Sequence, residues 1–136
     1  MAAASLLARL LAAQNAHDVE AMVACFQPDY ASEQPRHPGR EFRGTEQVRA
    51  NWSALFDAYP DLTVEVLRQV EDPATGTVWA EWRWSGTGQA GDLDMVGAVI
   101  LGIRDARIAW ARLYMDAVDR TEGSIDEAVA STTATT

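Results

Sequence analysis

Side chains suited to proton transfer occur at three places in this chain. His37 lies in a segment punctuated by prolines and glycines, which we expect to border a pocket mouth. Asp92 and Asp94 stand two residues apart at the start of an apolar run, so on a strand they share a face, and their mutual repulsion can raise one pKa. Asp116 ends a strand-like run that also carries Arg112. These residues predict general acid–base chemistry, with His37, Asp94 and Asp116 as candidate catalytic groups.

Each of these groups also has a simpler interpretation. His37 fits an exposed loop, and the Asp92–Asp94 pair fits a solvated strand end. Asp116 and Arg112 fit an ion pair that is structural or lies at a dimer interface. Both interpretations of each residue stay open on the sequence alone.

Composition excludes several other classes of function. All 11 basic residues are arginines, so neither a Schiff-base lysine nor a P-loop lysine is present. The net charge of −9 disfavours nucleic acid as a partner. Two histidines without clustered carboxylates predict no metal site, and a single cysteine, Cys25, permits no internal disulfide.

The expected location is the cytoplasm, with no membrane attachment. The apolar start of the chain has no cationic leader and contains Arg9, which argues against a signal peptide. No uninterrupted apolar stretch approaches the ~18 residues that a membrane span requires.

The first half of the chain predicts helices around a polar, irregular stretch. Residues 5–15 carry leucines at helical spacing, with Arg9 and Gln14 placed off the apolar stripe. Asp18 reads as the N-cap of a short helix that continues through Cys25 and Phe26 to a stop at Pro28. A short strand is expected at residues 29–32, and Thr45 is expected to cap a helix over residues 46–58.

The second half predicts four strands in an antiparallel meander. Their ranges are 62–71, 77–86, 93–103 and 108–118, separated by turn-rich segments. Residues 93–103 are apolar at almost every position, which predicts a central strand covered on both faces. Residues 121–136 form a Ser/Thr/Ala-rich tail, with a helical turn at 124–130 and a frayed, partly disordered end. We therefore predict one α+β domain over residues 1–120, in which a curved sheet wraps helices and leaves a tapered cavity.

This order of elements and several local runs resemble the SnoaL-like polyketide cyclases of the nuclear transport factor 2-like superfamily. The limonene-epoxide hydrolases of that superfamily are similar too. The runs, in order along the chain, are Asn-Ala-His-Asp-Val-Glu at 15–20, Pro-Asp-Tyr at 28–30, Phe-Arg-Gly at 42–44, Tyr-Pro-Asp-Leu at 59–62, Ser-Gly-Thr at 85–87, Arg-Ile at 107–108 and Arg-Leu-Tyr-Met-Asp at 112–116. The resemblance implies a cone-shaped domain with an apolar pocket, usually without a cofactor, and usually a homodimer formed through the sheet.

The family's polar site residues are replaced at the matching positions. Leu113 occupies the position of the family's acidic residue on the last strand, although Asp116 at the end of the run is retained. Gly88 stands where the family has a histidine. The best register places Trp82 and Trp84 toward the pocket, with the charged neighbours on the opposite face, and a slip of one residue would reverse this.

The predicted site is therefore an aromatic pocket for a hydrophobic small molecule. Its expected ligand-binding residues are Trp82, Trp84, Leu113, Trp52 and Phe56, with Tyr30 and Tyr59 as hydrogen-bond donors. The resemblance implies a cofactor-independent cyclase or isomerase that uses acid–base catalysis. The alternatives are an epoxide hydrolase-like enzyme and a non-catalytic binding or dimerisation module, because one fold hosts many functions.

Overall fold

The computed structural model describes residues 2–121 and 123–134 as an α+β domain, which confirms the predicted fold class. Its helices are α1 Ala2–Ala16, α2 Val19–Val23, α3 Thr45–Ala58 and α4 Ile125–Thr133, with a short 3-10 helix at Pro38–Arg40. Its strands are β1 Phe26–Glu33, β2 Phe42–Arg43, β3 Thr63–Asp72, β4 Thr77–Gly86, β5 Leu93–Arg104 and β6 Arg107–Ala117. Within these residues, no helix combines the length and apolar character that crossing a membrane requires.

The strands form one mixed sheet in the order β2-β1-β6-β5-β4-β3. The predicted antiparallel meander is present as β3 to β6. The short strand expected at residues 29–32 is part of β1, but its place in the sheet and the strand β2 were not predicted. Strand β1 joins β6 in parallel, and β2 joins β1 antiparallel. The helices cover one face of this curved sheet, called the inner face below, and the opposite face is called the outer face.

The predicted helix ending at Pro28 is wrong. The helix stops at Val23, and Phe26 already pairs with Ile108 of β6 as the first residue of β1. Pro28 is tolerated inside the strand because the pairing between β1 and β6 shifts register between Phe26 and Ala31, where a missing N–H breaks no ladder bond.

Caps and turns set where the helices begin. Asp18 caps α2 as predicted, since its Oδ1 accepts a hydrogen bond from the Ala21 backbone N–H at 3.0 Å. Thr45 is not a cap but the first residue of α3, and the N-cap is Gly44. Gly44 has φ of +90°, a left-handed conformation that glycine adopts without strain.

Strand β5 is covered on one face only, contrary to the prediction. Val99 and Leu101 on the inner face are buried, whereas Ala98 on the outer face is exposed and Val96 and Ile100 are half-buried. The helices that supply the core all lie against the inner face, so within residues 2–121 and 123–134 no helix covers the outer side chains of β5.

Side chains near the end of α1 hold the edge strand β3. Asn15 Nδ2 donates to the Val64 carbonyl at 3.0 Å, and its Oδ1 accepts from the Val64 N–H at 2.7 Å. His17 Nε2 lies 2.8 Å from the Leu62 carbonyl oxygen, and its ring stacks on Phe56 at a centroid distance of 4.2 Å. These contacts fix the helices against one edge of the sheet and so define one wall of the interior.

The C-terminal segment carries more helix than the sequence predicts. Ser124 accepts a hydrogen bond from the Glu127 N–H and caps α4, which runs to Thr133 rather than to residue 130. Ile125 and Val129 on this helix are exposed. Residues 135 and 136, also predicted to be frayed, lie outside the described part of the chain, as does Met1.

Candidate functional site

A cavity of about 730 Å³ lies between the helices and the inner face of the sheet. It is bounded by α1, β1, β2, α3, β4, β5 and β6, and its exposed rim lies along α3 at Ala50, Asn51, Ala54 and Ala58. Among the described residues that line it, none carries a charge, and the polar ones are Gln14, Tyr30, Ser32, Gln34, Gln47 and Asn51. Its volume falls within the range typical of small-molecule sites.

Tryptophans form one wall of the cavity. Trp82 and Trp84 point inward from β4 and are nine-tenths or more buried. Trp52 of α3 meets Trp84 edge to face at a ring-centroid distance of 5.0 Å. Aromatic walls with this geometry suit a flat or ring-shaped apolar ligand.

Strand alternation explains why the tryptophans line the cavity. Val64 and Val66 of β3 pair with Trp84 and Trp82, so two apolar inner faces lie side by side. Arg83, between the tryptophans, falls on the outer face, where it pairs with a carboxylate. The two tryptophans therefore lie on the side of β4 that the sequence predicts.

Tyr30 is the titratable group of the cavity lining. Its ring packs edge to face on Phe26 at 4.6 Å, and burial raises the pKa of Tyr30 to about 12. The phenol therefore stays neutral over the physiological range and can serve as a hydrogen-bond donor. It is not a general base near neutral pH.

Three buried polar atoms in the cavity lining have no hydrogen-bond partner. They are Gln14 Oε1, Trp82 Nε1 and Trp84 Nε1. Gln14 was predicted to lie off the apolar stripe, but it is only 2% exposed. Its sequence position contains the missed signal, because it follows Leu10 by four residues and so shares that residue's helical face.

The remaining predicted ligand-binding residues divide into two groups. Leu113 and Trp52 line the cavity together with Tyr30. Phe56 is buried but stacks on His17, outside the lining. Tyr59 lies against the turn after β4, where a Cβ at Gly88 would come within 2.7 Å of its ring. The missing side chain at Gly88 therefore makes room for the Tyr59 ring, and Gly88 does not line the cavity.

Two of the predicted catalytic residues come together on the outer face. His37 Nε2 lies 3.0 Å from Asp116 Oδ1, and Arg36 forms an ion pair with the same carboxylate. The hydrogen bond from His37 and the charge of Arg36 hold the pKa of Asp116 below its usual range. Both His37 and Asp116 are partly exposed, and neither lines the cavity.

Asp94 also lies on the outer face, near the start of β5. Its carboxylate pairs with Arg120 and with Arg83, whose Nε is 3.1 Å from Asp94 Oδ1. The hydrogen bond from Arg120 and the charge of Arg83 lower the pKa of Asp94. The rise expected from repulsion by Asp92 is therefore not found, because arginines neutralise the site.

Several residues that line the cavity were not predicted from the sequence. Gln47 and Asn51 on α3, Ser32 and Gln34 on or after β1, and the buried apolar residues Val99 and Leu101 all line it. Those on β1 could not be placed because the parallel pairing of β1 with β6 was not predicted. Across residues 2–121 and 123–134, no group of three or more His, Cys, Asp or Glu side chains is arranged to hold a metal ion.

Comparisons with known proteins place this geometry in a family. The family model described as SnoaL-like domain matches residues 7–111. No curated protein sequence is significantly similar to this chain.

Solved structures share the fold at low sequence identity. PrhC from Penicillium brasilianum has a TM-score of 0.73 at 17% identity, covering 82% of this chain and 78% of that protein. AusH from Aspergillus nidulans has a TM-score of 0.70 at 19% identity, covering 85% and 86%. A putative polyketide cyclase from Sinorhizobium meliloti has a TM-score of 0.63 at 20% identity, covering 82% and 94%. At these identities the likeness shows the fold alone.

Proposed function

Because this chain belongs to the SnoaL-like domain family, we propose that it binds a neutral, mainly apolar small molecule in its central cavity. The observation that carries this proposal is the uncharged lining of a cavity of about 730 Å³. Burying one aromatic ring of a ligand against Trp82 and Trp84 contributes about 1.5–3 kcal/mol by area. The binding energy therefore comes mainly from the aromatic and aliphatic walls.

The same lining discriminates against charged ligands. A carboxylate or ammonium group that enters the cavity leaves water without gaining an ion-pair partner among the described lining residues. An unpaired buried charge is strongly unfavourable. The chain's net charge of −9 adds a further, longer-range penalty for anions.

A matched pair of probes tests this proposal. 2-Acetylnaphthalene and 2-naphthoate share a ring system, and isothermal titration should give binding of the ketone but binding of the anion weaker by about a hundredfold or more. Ala54→Trp should obstruct the exposed rim of the cavity and weaken binding of the ketone. Asp57→Trp, on the same helix but outside the lining, is the control. Equal affinity for the two probes, or equal effects of the two variants, would contradict the proposal.

A second candidate function is a cofactor-independent cyclase, isomerase or epoxide hydrolase. The observation in its favour is the His37–Asp116 hydrogen bond, because His37 stands three residues after Gln34, which lines the cavity. In this mechanism the His37–Asp116 pair transfers the proton, with Asp94, ionised beside its arginines, as a further candidate base and Tyr30 as a neutral donor to a developing oxyanion.

Turnover assays separate this enzyme from a non-catalytic module. A panel of polycyclic ketones and epoxides should give a pH-dependent rate that His37→Ala and Asp116→Asn abolish. Turnover that persists unchanged in both variants removes these residues from the mechanism, and no turnover with intact binding supports the non-catalytic module.

We further propose that the chain forms a homodimer through the outer face of the sheet. Val70, Trp79 and Trp110 are large apolar side chains exposed on that face, and Ile100 lies half-buried among them. A second copy would cover these side chains and would explain why β5 is apolar at both alternations. Trp79→Arg should convert a dimer to a monomer in sedimentation velocity, whereas Arg120→Ala, a change at the charged rim of the face, should not.

Two coarser expectations complete the proposal. Residues 1–120 are proposed as the folded unit, because no described residue of α4 is buried, and removal of residues 121–136 should leave the unfolding midpoint almost unchanged. A cytoplasmic location is proposed from the sequence and is tested by fractionation of the host cell.

A further inference from the structure

Gln14 on α1 and Trp82 and Trp84 on β4 share an unusual property. Each lines the cavity, each is nine-tenths or more buried, and each carries a polar atom without a hydrogen-bond partner. Most buried polar atoms in folded proteins are paired, so each exception requires a physical reason. Three exceptions that line one cavity suggest a shared reason.

Among the described residues, none offers a hydrogen-bond partner at these atoms. The part of the lining that the structure describes also has no charged group. The three atoms are also shielded from solvent. A bound molecule can supply the missing partners if the indoles and the amide rotate toward the cavity that these residues line.

The chemistry of the three atoms defines what that molecule offers. An indole Nε1–H only donates a hydrogen bond, and an amide oxygen only accepts one. This inference rests on the proposed binding function. We propose that Trp82, Trp84 and Gln14 are the residues that determine the ligand specificity of the cavity. They select a neutral ring compound with a carbonyl or ether oxygen for the indole donors and a hydroxyl or N–H group for Gln14 Oε1.

Three ring compounds of almost equal size test this inference. Tetralin has no polar group, 1-tetralone adds an acceptor oxygen, and 6-hydroxy-1-tetralone adds a donor as well. Titration calorimetry should show affinity rising about fivefold to tenfold from tetralin to 1-tetralone, and again to the hydroxyketone, because a hydrogen bond to an otherwise unpaired buried group is worth this factor.

Conservative variants assign the gain to named atoms. Trp82→Phe and Trp84→Phe each remove an N–H while keeping an aromatic ring, and should reduce the preference for 1-tetralone over tetralin. Gln14→Met removes the acceptor and should remove only the extra gain from the hydroxyl. Trp79→Phe, on the outer face, is the matched control and should change neither ratio.

A spectroscopic readout reports on the donors directly. In ¹⁵N-labelled protein, the indole N–H resonances of Trp82 and Trp84, assigned from the Phe variants, should move downfield with 1-tetralone and not with tetralin. Equal affinity for tetralin and 1-tetralone, or unmoved indole resonances on ketone binding, overturns the inference while the proposed binding function stands. Failure of all three probes to bind overturns both.

Discussion

The two faces of this sheet differ in burial and in charge. On the inner face of β4, Ala80, Trp82 and Trp84 are buried, and the last two line an uncharged cavity. On the outer face of the same strand, Trp79 is exposed and Arg83 is ion-paired. Side chains one residue apart thus face opposite environments, so the alternation along the strand separates the cavity lining from the charged side chains.

The residues suited to acid–base chemistry lie on the charged outer face. Ion pairs there join Arg83 and Arg120 to Asp94, and Arg112 to Glu33 at 2.8 Å. Asp116 belongs to the same face. Residues of catalytic type are thus present in this chain but lie on the side of the sheet opposite the cavity.

The largest expected effect comes from the two glycines of β5, one on each face. A Cβ at Gly97 would lie 2.3 Å from the backbone oxygen of Tyr114, whereas the three atoms nearest to a Cβ at Gly102 belong to the Trp110 side chain. Backbone cannot move aside, but Trp110 is partly exposed and can swing out. Gly97→Ala should cost about 3 kcal/mol of unfolding free energy and Gly102→Ala about 1 kcal/mol, measured by urea denaturation. Equal costs would mean that the two faces are equally rigid.

Placing a carboxylate on the inner face is the next strongest way to test the comparison. Leu113→Asp puts the family's acidic residue type back at its position in an uncharged lining, where burial should raise its pKa. A carboxyl pKa raised by folding leaves stability intact below the unfolded value and lowers it as the pH rises. Beyond the pH-independent cost of losing the leucine side chain, we expect a further loss of about 1–3 kcal/mol at pH 7 that is absent near pH 3, measured by chemical denaturation.

Tyr114→Asp is the matched outer-face variant for that experiment. Its side chain lies beside Arg112, which gives an introduced carboxylate a cationic neighbour in water. It should therefore show no loss of stability as the pH rises from 3 to 7. A loss equal to that of Leu113→Asp would show that the position relative to the cavity is irrelevant.

Tyr30 gives a smaller effect, at alkaline pH. Its pKa is raised to about 12 by burial, from the ordinary value of 10.0. The stabilisation from keeping this phenol neutral is complete below pH 10 and is lost as the pH rises toward 12. By pH 11 the loss amounts to roughly 1.4 kcal/mol. Tyr30→Phe should flatten this decline in denaturation curves between pH 9 and 11, and an identical decline in the variant would contradict the assignment.

The smallest expected effect belongs to the outer-face pair of His37 and Asp116. Because the pKa of Asp116 is lowered in the folded protein, its contribution exists above the ordinary value of 3.8 and disappears as the pH falls through the lowered pKa. Exposed pairs of this kind contribute little. Asp116→Asn should lower Tm only slightly at pH 6 and by a decreasing amount as the pH falls below 3.8, and a Tm loss exceeding that of Leu113→Asp at pH 6 would contradict this ranking.

Local patterns predicted the meander and the direction of its side chains. The alternation along residues 77–86 placed Trp82 and Trp84 on one face, which the structure reproduces because their neighbours Val64 and Val66 obey the same period. Even the misread β5 is informative, since its second apolar face is real but lies outside the core of a single chain.

Pairings between distant residues could not be predicted. The pairing of β1 with β6 joins Phe26 to Ile108, and neither the apolar spacing before Pro28 nor the proline itself distinguishes a helix end from a bulged strand. The His37–Asp116 contact likewise spans 79 positions, so their spacing in sequence gave no sign of it. The burial of Gln14 was not predicted for a local reason, because its polar side chain was given more weight than its position on the buried face of α1.

Asn15 has a further consequence for how copies of this protein meet each other. Strand β3 is an edge strand of the sheet, and an exposed edge strand offers unpaired N–H and carbonyl groups with which another chain can pair. By occupying both backbone groups of Val64, the Asn15 amide terminates the ladder there. The Asn15 side chain thus blocks addition of another strand at Val64. Asn15→Ala should therefore make the protein more prone to form fibrils, as measured by thioflavin T fluorescence.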